Sequence, residues 1–137
     1  MIIEVKRNIV AGKFTGSFEE ILPPPEGKLM LPLAKVEGDV HVAGEYEIFD
    51  DDSVEVKLTL SYKLRGECSY CLEPAASAVK YSYDALFVPD RDDADNYYYD
   101  GVKLDTRRAA EDAFVFSQPE VLLCADCARQ NAQNSKN

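Results

Sequence analysis

The sequence predicts a single α+β domain that is dominated by antiparallel sheet and has one main helix near the C-terminus. Three observations support this prediction. Long segments in the middle of the chain alternate between apolar and polar residues, and the only convincing helical pattern falls late. Of two Cys-x-x-Cys pairs, one lies between two of the alternating segments and the other follows the helical pattern. With 137 residues the chain is long enough for one hydrophobic core.

The clearest strand pattern covers residues 54–65, where six apolar residues alternate with six polar ones. A period of two places the apolar set on one face of a strand. Residues 40–48 alternate in the same way, and the acidic segment 50–53 between the two runs has the composition of a turn. Residues 79–87 alternate again. We therefore expect an antiparallel hairpin that extends into a three-stranded meander.

Less regular segments surround the meander. Residues 2–5 and 29–33 are apolar enough to be strands, and the tyrosines at 97–99 predict a short strand before a turn. The proline-rich stretch 23–27 predicts a stiff loop. Residues 90–95 are mostly acidic and predict an exposed loop.

The helix is predicted over residues 106–118. Asp105 precedes it, and a carboxylate there can accept free N–H groups of the first turn. Pro119 ends it, because proline cannot continue the hydrogen-bond pattern. Its apolar face consists of Ala109, Ala110, Ala113, Phe114 and Phe116. The polar stretch 129–137 predicts a disordered tail.

The most specific chemical signal is the cysteine pattern. The chain has four cysteines, in the pairs Cys68/Cys71 and Cys124/Cys127, with 52 residues between the pairs. A two-residue spacer lets one tight turn aim two sulfurs at a common point, and Zn²⁺ binds four such ligands in a tetrahedron. The pattern favours one structural Zn²⁺ site that joins the helix end to the sheet. Two disulfides, a thioredoxin-type redox pair, an iron–sulfur cluster and four uninvolved thiols are the alternatives.

Charge and hydropathy restrict the class of partner. The formal net charge is −10, and four thiolates with one Zn²⁺ would make it more negative. Such a charge repels nucleic acid at long range and attracts basic proteins. No apolar stretch is long enough to span a membrane, and the N-terminus has no secretory pattern. A bacterial cytoplasmic protein without membrane contact is expected.

Catalytic motifs are weak, which predicts that the protein is not an enzyme. His41 is the only histidine and falls on the polar side of a predicted strand, so no Ser–His–Asp or Cys–His arrangement can be built without it. The chain has no glycine-rich phosphate loop either. Candidate contacts with RNA or a partner are the residues near the cysteines and at the helix start. These are Lys63, Arg65, Tyr70, Arg107, Arg108 and Arg129.

Several strings, taken together, resemble the YceD family, which is named for accumulation of the large ribosomal RNA subunit. The strings are Gly38 to Tyr46, Cys68-Ser69-Tyr70-Cys71-Leu72-Glu73-Pro74, Leu104-Asp105, Glu111, Pro119 and Leu123-Cys124-Ala125-Asp126-Cys127. The resemblance covers about residues 35–128. Many members carry Arg where this chain has Tyr70, and many continue with further cysteines after the position of Cys127. The second cysteine pair also has a two-residue spacer here, where the family pattern leads us to expect three residues.

The resemblance implies a non-enzymatic accessory factor in large ribosomal subunit biogenesis. Such a factor would support accumulation or processing of large-subunit ribosomal RNA by binding RNA, a basic ribosomal protein or an assembly factor. It also implies one domain over residues 1–128. Two alternatives come from other classes: a zinc-stapled protein-interaction adaptor unrelated to RNA, and a Cys-x-x-Cys thiol oxidoreductase.

Overall fold

The computed structural model describes residues 1–127 and 129, and it contains a five-stranded sheet. In chain order the elements are β1 (Ile2–Ile3), α1 (Val5–Val10), β2 (Thr15–Leu22), β3 (Ala34–Ile48), β4 (Val54–Glu67), β5 (Pro74–Val88), β6 (Tyr97–Tyr98), β7 (Leu104–Asp105) and α2 (Arg107–Ser117). The large sheet has the order β2-β3-β4-β5-β6, antiparallel except for β5–β6, and β1 pairs with β7. The predicted sheet-dominated domain is confirmed.

The predicted meander is formed by β3, β4 and β5. Ile48 pairs with Val54 across the first hairpin, and Val54 pairs with Phe87 on the next strand. Asp51 stabilises the turn by accepting the Ser53 amide at 3.0 Å. Apart from Leu64, which pairs with Ser77 on β5, the register matches apolar with apolar residues or glycine along the three strands, so they share one buried face.

One face of the sheet is the core and the other is open. The six apolar residues of β4 are at most 3% exposed. Helix α2 packs across β4 and β5 on this face. Its small buried residues Ala109, Ala110 and Ala113 allow the helix to lie close to the sheet. The Phe114 ring lies 4.9 Å from that of Tyr62, whose hydroxyl is 2.6 Å from the Ser117 hydroxyl.

The first third of the chain differs from the sequence prediction. Residues 2–5 give only the two-residue β1 before α1, and residues 29–33 form a loop. The side-chain amide of Gln118 accepts the Met30 N–H and donates to the Lys28 carbonyl, both at 2.7 Å, so a side chain rather than a strand satisfies this backbone. Strand β2 was not predicted. Its alternation is broken by Glu20, which instead pairs with the N-terminal amine at 3.1 Å.

The predicted helix is present as α2, with its boundary shifted by one residue. Thr106 is at the N-cap position, while the Asp105 carboxylate accepts the Arg107 amide at 3.0 Å. Residues 125–127 are also helical, so α2 is not the last helical turn. None of the described helices is long and apolar enough to cross a membrane. Of the predicted tail at 129–137, only residue 129 lies within the described residues.

Candidate metal centre

The first cysteine pair lies in the connection between β4 and β5. The Cys68 N–H donates to the Glu73 carbonyl at 2.7 Å, and the Leu72 N–H donates to the Cys68 carbonyl at 3.0 Å. These bonds close a tight turn. Leu72 has φ +63°, a left-handed conformation that is unfavourable for a residue with a side chain. The turn therefore stores strain while it holds Cys68 and Cys71 on the same side.

The second pair is attached to the first by backbone hydrogen bonds as well as by the sulfurs. The Ser69 N–H donates to the Leu122 carbonyl at 2.7 Å, and the Leu122 N–H donates to the Ser69 hydroxyl at 3.2 Å. Leu122 is 1% exposed. The Cys127 N–H points to the Cys124 sulfur at 3.5 Å. The segment after α2 is thus held to the end of the sheet by two hydrogen bonds between Leu122 and Ser69.

Gly66 is a site residue that sequence reasoning missed. A Cβ at this position would lie 2.0 Å from the Leu33 carbonyl oxygen and 2.7 Å from the Ala34 Cα. The Glu67 N–H also donates to the Leu33 carbonyl at 3.0 Å. The loop before β3 therefore packs directly against the strand that leads into the first turn. The signal in the sequence is that a glycine stands where the alternation of β4 stops, which is typical of a close backbone approach.

The four sulfur atoms of Cys68, Cys71, Cys124 and Cys127 lie within 4.8 Å of one another, and the Cys71 and Cys124 sulfurs are 3.6 Å apart. All four residues are free cysteines. A tetrahedron with metal–sulfur bonds of about 2.3 Å has edges of about 3.8 Å. The spacing fits one tetrahedral ion, so the predicted convergence of the two pairs is confirmed and the cluster can hold a metal.

The sulfurs differ in acidity. The backbone amides of Cys124 and Cys71 favour the thiolate of Cys68 and lower its pKa to about 6. The Glu73 amide favours the Cys71 thiolate, but burial and the Cys124 and Cys68 sulfurs outweigh it and raise the pKa of Cys71. The Cys124, Cys68 and Cys71 sulfurs raise the pKa of Cys127. A thiolate at one cysteine thus makes ionisation of its neighbours less favourable, and a divalent cation would relieve this repulsion between thiolates.

The position of the most acidic sulfur disfavours thiol chemistry. Cys68, the most acidic thiol, is 0% exposed, whereas Cys71 is exposed. A thiol oxidoreductase needs its low-pKa sulfur within reach of a disulfide substrate. Four converging sulfurs also leave no open position of the kind that a catalytic metal requires.

The predicted basic contacts divide into two groups. Lys63 and Arg65 are exposed on the open face near the first turn, and Arg65 pairs with Glu37 at 3.2 Å. Tyr70, in the first turn, is 70% exposed, and Arg129 pairs with Asp126 in the second. Tyr70 and Arg129 thus belong to the cysteine turns themselves, while Lys63 and Arg65 lie on the strand that leads into the first turn.

Arg107 and Arg108 do not join this group, which corrects the prediction of one basic patch. They begin α2, on the core side of the sheet, and the helix runs about 15 Å before its Ser117 end reaches Tyr62. The spacing of residues in sequence could not show this, because the helix packs along the strands and separates its own two ends.

The open face of the sheet is divided by charge. Toward the cysteines basic residues outnumber acidic ones, with Lys35, Lys63, Arg65 and Lys80 against Glu37 and Glu67. Toward the β3–β4 turn acidic residues outnumber basic ones, with Glu45, Glu47, Glu55 and Asp84 against Lys57. The exposed His41 lies on the same face. The face thus offers an anion-attracting end beside the cysteines and a cation-attracting end away from them.

Comparison with protein-family models, with curated proteins and with solved structures finds no match to this chain. The resemblance to the YceD family therefore stays a prediction from the strings around the cysteines.

Proposed function

We propose that the four cysteines bind one structural Zn²⁺, which fastens the segment after α2 to the end of the sheet. The observation that carries this proposal is the convergence of all four sulfurs within 4.8 Å, with the closed shell that a structural ion needs. When bound, the ion supplies a cross-link and charge neutralisation. The chain supplies the ligand geometry through the two turns and the amides that favour the Cys68 thiolate.

Metal analysis of protein purified without added zinc tests this step. We expect one zinc per chain, and loss of the ion in Cys71→Ser and in Cys127→Ser. A matched control is Tyr70→Ala, which alters an exposed side chain of the same turn but no ligand. Protein that purifies without metal and gains none on titration with Zn²⁺ would contradict the proposal.

At the level of biological role, we propose a non-enzymatic binding factor that assists assembly of the large ribosomal subunit in the bacterial cytoplasm. Support comes from the resemblance of the cysteine strings to the YceD family and from the convergence of the four sulfurs. The exposed groups around this cluster offer binding rather than chemistry. The net charge of −10 and the acidic half of the open face favour a basic ribosomal protein or assembly factor as the partner.

A specific observation favours direct RNA contact as the second candidate. Lys35, Lys63, Arg65 and Lys80 lie on neighbouring strands of the open face, and β4 leads from there into the turn that carries the exposed Tyr70. Lysine and arginine neutralise phosphate, and an exposed ring can stack on an unpaired base. The basic end of the face could therefore hold a short RNA segment despite the overall charge.

Charge-reversal variants distinguish the two partners. Glu45→Lys with Glu47→Lys should abolish capture of basic ribosomal proteins at about 0.15 M salt, while Lys63→Glu with Arg65→Glu should leave it intact. If RNA is the partner, a gel shift with large-subunit RNA should show the reverse pattern and a steep salt dependence. Arg107→Glu with Arg108→Glu is the control for nonspecific charge effects. If the metal-loaded protein binds neither partner, the ribosomal role is wrong, and a protein-interaction adaptor unrelated to RNA is the remaining function.

A further inference from the structure

Strand β5 has a long unpaired edge. Fourteen of its residues pair with β4 on one side, from Pro74 to Phe87. On its other side only Phe87 and Val88 pair with β6. Within the part of the chain that the structure describes, the outer edge at 74–86 therefore has no strand neighbour. Unpaired N–H and C=O groups in such a row readily accept another strand.

The side chains along this edge are incompletely covered. Val79, Tyr81 and Tyr83 belong to the core face but are only half-buried. Phe116 of α2 packs on Tyr83 with ring centroids 5.8 Å apart, yet it remains 60% exposed. An additional strand would bury this apolar margin, and the aromatic groups are of the kind enriched at protein interfaces.

The sequence of β5 is complementary to itself in one antiparallel register. Residues directly opposite each other in an antiparallel pair lie on the same face. A two-fold axis at Ser82 places Lys80 opposite Asp84 of the second copy on the open face. It places Tyr81 opposite Tyr83 of that copy on the core face. Moving the axis to Lys80 or Asp84 opposes like charges, and moving it to Tyr81 or Tyr83 leaves the charges without partners.

We propose that β5 pairs with β5 of a second copy of this chain about a two-fold axis at Ser82. Residues 78–86 of each copy form the ladder, and the two sheets join into one continuous sheet. The two Lys80–Asp84 pairs set the register. The edge of β2 offers no such match, because its charged residues, Glu19 and Glu20, are both acidic.

Sedimentation equilibrium of the full chain at about 0.15 M salt tests the charge pairs, since this salt screens the net charge of each copy. We expect a dimer, and Lys80→Asp should raise its dissociation constant roughly 30-fold, because two attractive pairs become repulsive. Asp84→Lys should act similarly. The double variant Lys80→Asp with Asp84→Lys restores the opposite charges and should restore the dimer. Lys57 faces Asp84 within one chain, so Asp84→Lys also changes a contact inside the monomer. The rescue by the double variant is therefore the more informative result.

A cross-link tests the register directly. Ser82→Cys should give a covalent dimer on oxidation, because residues opposite each other have Cα atoms about 4.5–5.5 Å apart, within disulfide range. Ala78→Cys should not, because the two copies of residue 78 would be about 27 Å apart. Both variants and the parent chain share the native cysteines, so only the excess dimer is counted.

Three results would overturn the proposal. The first is a monomer at all concentrations. The second is a dimer that Lys80→Asp leaves unchanged and that Ser82→Cys does not cross-link. The third is a dimer weakened by Glu19→Lys, the matched change on β2, instead of by Lys80→Asp.

Discussion

The two ends of the sheet are held to the rest of the chain by different kinds of contact. At the end with the β3–β4 turn, the Phe87 and Tyr97 rings stack at 5.0 Å, the Tyr97 hydroxyl donates to Asp112 at 2.6 Å, and the Tyr99 hydroxyl donates to the Asp52 carbonyl. At the cysteine end, four sulfurs and two Ser69–Leu122 hydrogen bonds hold the segment after α2. The first end is closed by ordinary side chains, whereas the second is closed by a sulfur cluster that, under the proposed function, depends on an ion.

This difference teaches where stability should depend on metal. Aromatic packing and hydrogen bonds act whenever the chain is folded. A cluster of sulfurs without a cation carries mutual repulsion, as the raised pKa values of Cys71 and Cys127 indicate. Removal of the ion should therefore loosen one end of the molecule and leave the other intact.

The largest expected effect comes from loss of a ligand. In Cys68→Ala and Cys124→Ala the segment at residues 119–127 should detach, because structural zinc supplies roughly 10 kcal/mol of apparent binding free energy. Hydrogen exchange should show lost protection at the Ser69 and Leu122 amides. Amides of β4 near the turn should stay protected. A melting temperature that a strong chelator does not change would contradict this prediction.

Gly66→Ala should come next, with a loss of about 3 kcal/mol in the free energy of unfolding, because its Cβ would collide with the Leu33 and Ala34 backbone. Gly44→Ala is the matched control. The three atoms nearest to its Cβ would all belong to the Phe18 ring, a side chain that can shift where backbone cannot, so the loss should be smaller. Chemical denaturation measures both, and equal losses would argue against a rigid contact at Gly66.

A pH-dependent effect should appear at the other end. Burial raises the pKa of Tyr99 to about 12, above the ordinary value of 10.0. The unfolded chain then loses this proton before the folded one does, so the contribution of Tyr99 to stability is complete below pH 10 and lost as pH rises toward 12. Tyr99→Phe should flatten the dependence of unfolding free energy on pH in this window. An unchanged slope would contradict the assignment.

The smallest effect is predicted at Leu72, whose left-handed backbone suits glycine. Leu72→Gly should stabilise the metal-loaded protein by about 0.5–1 kcal/mol, because it relieves the strain at the cost of some chain entropy. Leu72→Ala keeps the strain and should give no gain. Thermal melts of the two variants measure the difference in stability. A gain in both variants would show that the effect comes from removing an exposed leucine side chain and not from relieving backbone strain.

The sequence predicted the elements whose pattern is local and strong. Strict alternation in 54–65 specified β4 and its buried face, and the spacing of the four cysteines specified their convergence. Strand β2 was missed because Glu20 occupies a core-side position that only the distant N-terminal amine makes acceptable. The loop at 29–33 was mistaken for a strand because its partner is the side chain of Gln118, which no periodicity reveals.

X-ray absorption at the zinc edge of the purified protein identifies the atoms that bind the ion. We predict a single shell of four sulfur neighbours at about 2.3 Å, with one ion per chain. A shell that contains nitrogen or oxygen, or fewer than four sulfurs, would show that the two cysteine pairs do not bind the same ion.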